Sequence, residues 1–254
     1  MRVLCTYVFV LCFVLLVLLA SLVTLLCGWL LPLKKRVVIT HYTEKALSLL
    51  LRLCGGIKVD INFANQQAIE EFMLAGRSLL VVANHQSRWE TFYLQSLFSP
   101  LINVLKHELL HIPIAGWALA CYWPVAVRRS QAIATVRRVE KEGIMRLAAG
   151  FNLLIFPQAT RLPTGEIGHI SSSAARLAVT AKAVVVPVVH NSGRYWPKKS
   201  FRLTPGTIRV DIGAPLDCRE KSAKEVAAYY QDFFMQKIAS QQATTASKRN
   251  MRRE

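Results

Sequence analysis

The N-terminal segment constrains the chain most, because it contains almost no charge. Arg2 is the only charged side chain before Lys34, so residues 3–33 form an uncharged, strongly apolar stretch. A transmembrane helix needs about 20 apolar residues, whereas the apolar part of a cleaved signal peptide has about 7–15. Leu26, directly before Cys27, is too bulky for lipoprotein-type processing. The segment therefore predicts an uncleaved transmembrane helix.

The basic residues beside this stretch predict its orientation. The stretch is followed by three basic residues, Lys34, Lys35 and Arg36, whereas only Arg2 and the terminal amine precede it. Cytoplasmic flanks of membrane helices carry the excess of Lys and Arg. We therefore expect a single-pass protein of the inner (cytoplasmic) membrane, with the remainder of the chain on the cytoplasmic side.

The chain is strongly basic, with a net charge of +17. Removing the four basic side chains of residues 1–36 leaves +13 on the remainder. Nucleic-acid binding is the first explanation for such a charge, but no aromatic-rich RNA motif, zinc-ligand spacing or helix-turn-helix pattern accompanies it. Anionic lipid headgroups, worth about 1 kcal/mol per basic side chain near the surface, explain it better. We expect a membrane partner and no nucleic acid.

The six cysteines are scattered and include no C-x-x-C pair. Half of them lie inside the apolar N-terminal stretch. Their spacing indicates neither a zinc site nor a disulfide framework, which is consistent with a reducing cytoplasm.

Beyond the N-terminal stretch, short apolar runs alternate with helical patterns. Residues 38–54 have the spacing of an amphipathic helix that stops at Gly55 and Gly56, and residues 57–63 alternate like an edge strand. The runs predicted as strands are residues 79–83, 102–105, 124–127, 153–156, 184–189 and 207–212. The further predicted helices are residues 88–98, 131–148, 172–182 and 222–239. This alternation predicts an α/β fold, a single domain with a largely parallel sheet flanked by helices.

Residues 109–127 form a second region without Asp, Glu, Lys or Arg. Two prolines and a glycine interrupt it, which argues against a second membrane span. Two interpretations stay open. The region packs in the core, or it forms a surface that enters the bilayer or holds an acyl chain, with Trp117 and Trp123 near the headgroups.

A histidine stands at the end of the first central apolar run, with a carboxylate five residues further on. Residues 79–83 lead into Asn84 and His85, and Glu90 falls in the first turn of the next predicted helix. Acyl transfer to a hydroxyl needs a base, and an imidazole with a pKa of about 6.5 is mostly neutral at cytoplasmic pH. A carboxylate on its other ring nitrogen fixes the tautomer and stabilises the imidazolium. The pattern predicts His85 as a general base, which is typically worth about 10²–10⁴-fold in rate.

Glu90 has a second explanation. Ser87 and Glu90 have the spacing of a capping box, with Ser87 as N-cap and Glu90 reaching back to it. The spacing favours the cap and the catalytic partner equally, and the two roles are compatible. Ser87 lacks the Gly-x-Ser-x-Gly turn of a nucleophile, so we expect it to be a cap. The other histidines considered have no comparable partner and are predicted to be surface or core residues: His107, His111, His169 and His190.

Four blocks, in this order and spacing, resemble the glycerolipid acyltransferase family over about residues 77–215, in particular its bacterial 1-acyl-sn-glycerol-3-phosphate acyltransferases. The first block, from Asn84 and His85 to Glu90, is similar to the family's His, four residues, Asp, with Glu as a variant. The other matching segments are Leu105–Trp117, Pro124–Arg129 (the second block), Phe156–Arg161 (the third) and Val186–Val188 (the fourth).

The resemblance implies transfer of a fatty acyl group from acyl-carrier protein or acyl-coenzyme A to the sn-2 hydroxyl of lysophosphatidic acid, making phosphatidic acid in phospholipid biosynthesis. His85 is then the general base and Glu90 orients it, with no metal, no cofactor and no acyl-enzyme intermediate. The residues implied in binding the acceptor and its phosphate are Lys106, Arg128, Arg129, Gln158, Thr160 and Arg161. From the residues alone, an arginine at a strand end is usually a solvated charge, and Lys106 could simply flank its strand.

Two blocks depart from the family pattern. The third normally begins Glu-Gly-Thr-Arg, whereas Gln158 and Ala159 precede Thr160 here, and Arg128 stands where an Asp is usual in the second. The acceptor side gains about three positive charges. This keeps two alternatives open: an acyltransferase for another lysophospholipid or an aminolipid, and a catalytically impaired lipid-binding or scaffold homologue.

The predicted domain organisation has four parts. They are a transmembrane anchor (1–33), an amphipathic helix with a lead-in strand (34–66), an acyltransferase domain (67–240) and a basic, disordered tail (241–254).

Overall fold

The computed structural model describes residues 2–128, 132–198 and 200–250, in which strands and helices alternate as predicted. The strands are β1 (Ile57–Phe63), β2 (Leu79–Ala83), β3 (Leu101–Lys106), β4 (Val125–Val127), β5 (Asn152–Ile155), β6 (Val184–His190), β7 (Gly206–Ile212) and β8 (Leu216–Asp217). The helices are α1 (Arg2–Cys27), α2 (Leu33–Gly55), α3 (Gln66–Leu74), α4 (Trp89–Leu97), α5 (Ala115–Ala120), α6 (Ala132–Ala148), α7 (Ser173–Thr180) and α8 (Ala223–Asn250).

One sheet runs through the domain in the order β1-β7-β6-β2-β5-β3-β4, with β8 paired to β6. Every neighbouring pair on this path is parallel except β6 with β7. The central strand β2 is buried at all five residues, as expected for a parallel strand with helices on both faces. The predicted α/β fold is confirmed, and β1 takes the predicted edge position.

Alternate residues of β2 face opposite cores. Leu80 and Val82 pack in the cluster covered by α6, α7 and α8. Leu79 and Val81 pack in the cluster that includes side chains of α1, α2, α3 and α4. Each of these side chains is fully buried, which is worth about 1.5–3 kcal/mol apiece. The two cores hold β2, the strand that leads to the predicted base, on both faces.

The N-terminal helix α1 belongs to the same body as the domain. A short turn at residues 28–32 joins it to α2, and the two helices pack together. Phe9 is fully buried, and its ring meets that of Trp196 edge-on at 5.3 Å. The ring of Phe13 meets that of Phe92 at 5.9 Å. Aromatic side chains distant in sequence therefore hold α1 against the rest of the chain, and the boundary at residue 33 stays a prediction.

The other side of α1 is exposed and apolar. Residues Leu4–Leu30 form a helix long and apolar enough to cross a membrane. Only 17% of the residues in its most apolar part are buried. Leu11, Leu15 and Leu19 are each more than half exposed. Helix α2 begins at Leu33, earlier than predicted, and ends at the expected glycines, with Gly56 in the left-handed conformation at φ 60°.

Part of the region of residues 109–127 packs in the core and part forms an apolar surface, so each of the two interpretations describes one part of it. Gly116 and Ala118 are buried, and α5 packs against α1. Trp117 is 54% exposed and Ile112 46% exposed, so one side forms an apolar surface. Trp123 instead packs inside the domain, with the Arg146 guanidinium 4.0 Å from its ring centroid. Its predicted place near the headgroups is wrong, because this cation holds it against α6.

The predicted disordered tail is wrong in its described part, since α8 continues to Asn250. Gln241 donates to Asp211 Oδ2 at 2.8 Å, and Gln242 donates to the carbonyl of Gly165 at 2.8 Å. These contacts fix the helix past residue 240, and the Ala, Gln, Lys and Arg residues that follow favour helix. Residues 251–254 lie outside the described chain.

Helix α3 was missed by the sequence analysis, although the Asn65 side chain caps it by accepting from Ala68 N–H at 3.0 Å.

Candidate active site

The predicted site residues lie along one edge of the sheet. Parallel strands end at the same edge, so the residues that follow β2, β5, β3 and β4 share it. His85 follows β2, and residues 158–161 follow β5. Lys106 ends β3 and is aligned with Val127, the residue before Arg128. This is the edge at which open α/β sheets bind their ligands.

Glu90 is fully buried and surrounded by hydrogen-bond donors. Its Oε1 accepts from His85 Nδ1 at 2.8 Å and from the main-chain N–H groups of Gln86 and Ser87 at 2.9 and 2.8 Å. Its Oε2 accepts from the hydroxyls of Ser87 and Ser192 at 2.8 and 3.0 Å. Burial alone would raise the pKa of this carboxyl, but the hydrogen bond from His85, the neighbouring His190 ring and the main-chain hydrogen bond hold it at about 2. Glu90 is therefore an ionised carboxylate, and His85 Nδ1 must carry the proton between them.

The same carboxylate organises the start of α4. The Ser87 hydroxyl accepts from Trp89 N–H at 2.9 Å while it donates to Glu90, and Glu90 accepts from Ser87 N–H. The predicted N-cap is wrong by one residue, because Arg88 holds that position without a side-chain cap. Helix α4 starts at Trp89, after Gln86 and Ser87, whose main-chain N–H groups point to the Glu90 carboxylate. Capping and contact with His85 are thus made by one side chain.

The main chain of His85 is held on both sides by the loop after β5. Its N–H donates to Gln158 Oε1 at 2.9 Å, and its carbonyl accepts from Leu162 N–H at 2.9 Å. Its ring stacks on Phe156, with centroids 4.1 Å apart and 21° between the planes. Since Nδ1 bonds to Glu90, Nε2 is the ring nitrogen left to accept a proton. His85 is thus fixed in backbone, ring plane and tautomer.

Gln158 and Ala159, the departures in the third block, have separate structural effects. Besides accepting from His85, the Gln158 amide donates to the carbonyl of Ile167 at 2.7 Å. A glutamate could make the first bond but not the second. Both ends of the amide are therefore used by main chain, which is a positioning arrangement and not the substrate contact expected for Gln158. Ala159 has φ 55°, the left-handed region that favours the glycine usual at this place.

Thr160 and Arg161 are brought next to the base. They lie between Gln158 and Leu162, both of which bond to the main chain of His85. Thr160 is exposed and Arg161 is partly buried. The loop therefore brings the main chain of Thr160 and Arg161 close to that of His85, and their role in binding the phosphate stays a prediction.

Two of the other predicted cations, Lys106 and Arg128, stand farther along the edge. Strands β3 and β4 are two and three places from β2 in the sheet. Lys106 is 47% exposed, with its ammonium 3.3 Å from Glu108. Arg128 is exposed, and Arg129 lies outside the described residues. Lys106 and Arg128 thus belong to strands farther from β2 than β5, the strand that precedes Arg161.

The sequence missed His190, which ends β6, and Ser192, which follows β6 at the same edge. Asn84 accepts from His190 N–H and donates to its carbonyl, both at 2.9 Å. Ser192 bonds directly to Glu90. A signal was present, because Val186–Val188 was recognised as a block on a strand, and a parallel neighbour of β2 ends beside His85.

This arrangement suits proton removal from an anionic acceptor. A neutral imidazole oriented by a buried carboxylate can take a hydroxyl proton, and the nearby guanidinium can hold a negative group of the same molecule. In the part of the chain that the structure describes, no group of three His, Cys, Asp or Glu side chains could hold a metal ion.

Comparison with known proteins agrees with this geometry. The family model named Acyltransferase matches residues 60–191, just over half of the chain. The chain belongs to the acyltransferase family. It is 37% identical over 192 residues to a 1-acyl-sn-glycerol-3-phosphate acyltransferase of Pseudomonas aeruginosa, which covers 76% of this chain and 72% of that protein. A protein of the same name from Saccharomyces cerevisiae is 27% identical over 187 residues, 70% of this chain and 59% of that protein.

The acyltransferase fold extends over nearly the whole chain. The crystal structure of the 1-acyl-sn-glycerophosphate acyltransferase of Thermotoga maritima matches with a TM-score of 0.76 over 96% of this chain and 98% of that one. Its sequence identity of 22% makes this a likeness of fold. The match covers nearly all of both chains, so the predicted fold is confirmed.

Proposed function

We propose that this acyltransferase moves a fatty acyl group from a thioester to the sn-2 hydroxyl of lysophosphatidic acid and makes phosphatidic acid for phospholipid biosynthesis. The buried His85–Glu90 pair carries the proposal, since it leaves Nε2 of a fixed imidazole to act as base. The names of the relatives support the choice of acceptor, above all the Pseudomonas protein at 37% identity.

The reaction follows from the orientation of His85. Its Nε2 takes the proton of the acceptor hydroxyl as the oxygen attacks the thioester carbonyl. The ionised Glu90 stabilises the imidazolium that forms. The tetrahedral intermediate then expels the thiolate, which receives the proton from His85. One C–O bond forms, one C–S bond breaks, and no acyl-enzyme is needed.

The acceptor phosphate is placed at the third-block loop. Arg161 and Thr160 lie between Gln158 and Leu162, which both bond to the main chain of His85, so we assign them the phosphate of lysophosphatidic acid. Arg128 and Lys106 add positive charge farther along this edge and attract the anionic substrates as they approach, and we assign the same attraction to Arg129, the next residue in the sequence. Gln158 is assigned to holding His85 and this loop in place.

A cavity between four helices, one of which also carries Glu90, is proposed to take the acyl chain. Its volume is about 150 Å³, and it lies between α1, α2, α4 and α5. Ala20, Phe92 and Ala118 are among its lining residues, and Phe92 follows Glu90 by two residues on α4. The donor is acyl-carrier protein or acyl-coenzyme A, either of which is anionic and suits the basic domain.

We propose that the chain works at the cytoplasmic face of the inner membrane, with the exposed face of α1 in the bilayer. The exposed apolar residues of α5, including Trp117, continue that face. A spanning helix must cross about 30 Å of hydrocarbon. From Phe9 to Thr24, however, α1 contacts protein, ending in a 2.7 Å hydrogen bond between Thr24 and Tyr122. This packing favours insertion from the cytoplasmic side over the single-pass arrangement expected from hydropathy.

Acceptor preference in purified protein tests the proposed function. Initial rates with one acyl donor should be highest for lysophosphatidic acid and far lower for lysophosphatidylethanolamine and lysophosphatidylcholine. Arg161→Ala should raise the Michaelis constant for lysophosphatidic acid about ten- to hundredfold, the effect of losing one charged hydrogen bond, with little effect on that of the donor. Preference for another acceptor would replace the substrate assigned here, and absence of turnover with all of them would favour a lipid-binding role.

A further inference from the structure

The turn after β6 is tied to the loop that carries the base. Four hydrogen bonds make the connection: Asn84 with the N–H and the C=O of His190, each at 2.9 Å, Ser192 Oγ with Glu90 Oε2 at 3.0 Å, and Gly193 N–H with Gln86 Oε1 at 3.2 Å. The approach is close, because a Cβ on Gly193 would lie 2.9 Å from that of Gln86. Three of these bonds use the main chain of the turn. The turn is therefore held in place whatever the side chains at 190 and 192 do.

The side chains of His190 and Ser192 form a directed chain to Glu90. The ionised carboxylate accepts only, so the single Ser192 hydroxyl proton points to Glu90 Oε2. The same hydroxyl is 3.1 Å from His190 Nδ1 and must accept from it. His190 is fully buried, and burial lowers its pKa, which favours the neutral ring with its proton on Nδ1. Each of the two hydrogen bonds that link His190, Ser192 and Glu90 therefore has one possible donor.

We propose that His190 and Ser192 are positioning residues for acyl transfer, which fix the Glu90 carboxylate so that Oε1 faces His85. Ser192 holds Oε2, and His190 orients the Ser192 hydroxyl. The proposal rests on the proposed function and adds two residues that act through Glu90 and touch no substrate. With the Ser87 hydroxyl on the other side of Oε2, the carboxylate cannot rotate away from the imidazole.

The burial of His190 supports this role. Its Nε2 is buried and makes no hydrogen bond within the described residues, while its ring meets that of Trp89 at 5.7 Å and 71°. Burying a polar atom without a partner destabilises the fold. An apolar ring would fill the same space without that loss, but it could not donate to Ser192. The donor at Nδ1 is therefore the property that an imidazole supplies here.

Steady-state kinetics of Ser192→Ala in the full-length protein test the proposal. The variant removes one oxygen and leaves the main-chain bonds of the turn, so it should fold. We expect kcat to fall about ten- to hundredfold, the effect of losing one hydrogen bond to a charged group, with the Michaelis constants for thioester and lysophosphatidic acid within about twofold. Ser222→Ala is the matched control, because Ser222 Oγ also donates to a carboxylate, Glu225 Oε2 at 2.8 Å, on the exposed start of α8. It should leave kcat unchanged.

A pair of substitutions at 190 separates donation from packing. Asn in His190→Asn places an N–H near the position of Nδ1 and should retain most of kcat. His190→Phe keeps a ring against Trp89 but removes the donor, and should lower kcat as Ser192→Ala does. Wild-type kcat in Ser192→Ala, or equal losses in the two His190 variants, would overturn the proposal while leaving the proposed function intact. A wild-type protein that does not acylate lysophosphatidic acid would remove both.

Discussion

At the scale of single residues, Glu90 has two functions that a substitution can separate. It caps α4 through both carboxylate oxygens and orients His85 through Oε1. Glu90→Gln keeps an acceptor for His85 and the Ser87 amide but removes the charge that stabilises the imidazolium. We expect a folded protein whose kcat falls by orders of magnitude, measured together with its thermal stability.

A second capping box in the chain is the matched control. Glu225 accepts from the N–H and the hydroxyl of Ser222, both at 2.8 Å, at the start of α8. Glu225→Gln should change stability by a similar amount and leave turnover intact. Full turnover in a stable Glu90→Gln protein would show that His85 works without its carboxylate.

Ala159 makes a prediction about backbone strain. Its φ of 55° is in the left-handed region, which costs an L-residue roughly 1–2 kcal/mol. Glycine removes that strain but gains about 0.4–1 kcal/mol of freedom in the unfolded chain. Ala159→Gly should therefore stabilise the protein by up to about 1 kcal/mol in thermal or chemical unfolding. Ala134→Gly, an exposed helical position in α6, should instead destabilise by about 1 kcal/mol; equal effects at both sites would contradict the strain.

At the scale of elements, the sequence predicted what depends on local pattern and missed what depends on distant partners. The strands flanking the site are apolar runs buried on both faces, so their existence and their succession along the chain could be predicted. The link from Ser192 to Glu90 joins residues 102 apart in sequence, and no spacing rule indicates it. The extension of α8 past residue 240 depends in the same way on Asp211 and Gly165.

Helix α5 provides the test of the acyl-chain cavity. Ala118 is buried and lines the cavity, whereas Ala120 on the same helix is exposed. Ala118→Leu fills part of the space and should shift the preference toward shorter acyl chains, measured as kcat/KM over a donor series. Ala120→Leu makes the same change outside the cavity and should leave the series unaltered. An unchanged profile in Ala118→Leu would place the acyl chain elsewhere.

At the scale of the whole molecule, the packing of α1 decides how the protein meets the membrane. Hydropathy predicts a spanning helix, but it cannot show that Phe9 and Phe13 pack on Trp196 and Phe92. In a chain with its six cysteines replaced by alanine, Arg2→Cys should resist a membrane-impermeant maleimide applied to spheroplasts and react after lysis. Labelling in intact spheroplasts would establish the single-pass arrangement with an external N-terminus.

The central claim is that His85 removes the proton of the lysophosphatidic acid hydroxyl, and one comparison tests it most directly. Phosphatidic acid formation is measured from a labelled acyl donor and lysophosphatidic acid, with purified wild-type protein and His85→Ala side by side. His111→Ala is the control, since His111 is exposed in the turn after β3. We expect phosphatidic acid from the wild type and His111→Ala, and almost none from a folded, membrane-bound His85→Ala. Near-wild-type transfer by His85→Ala would contradict it.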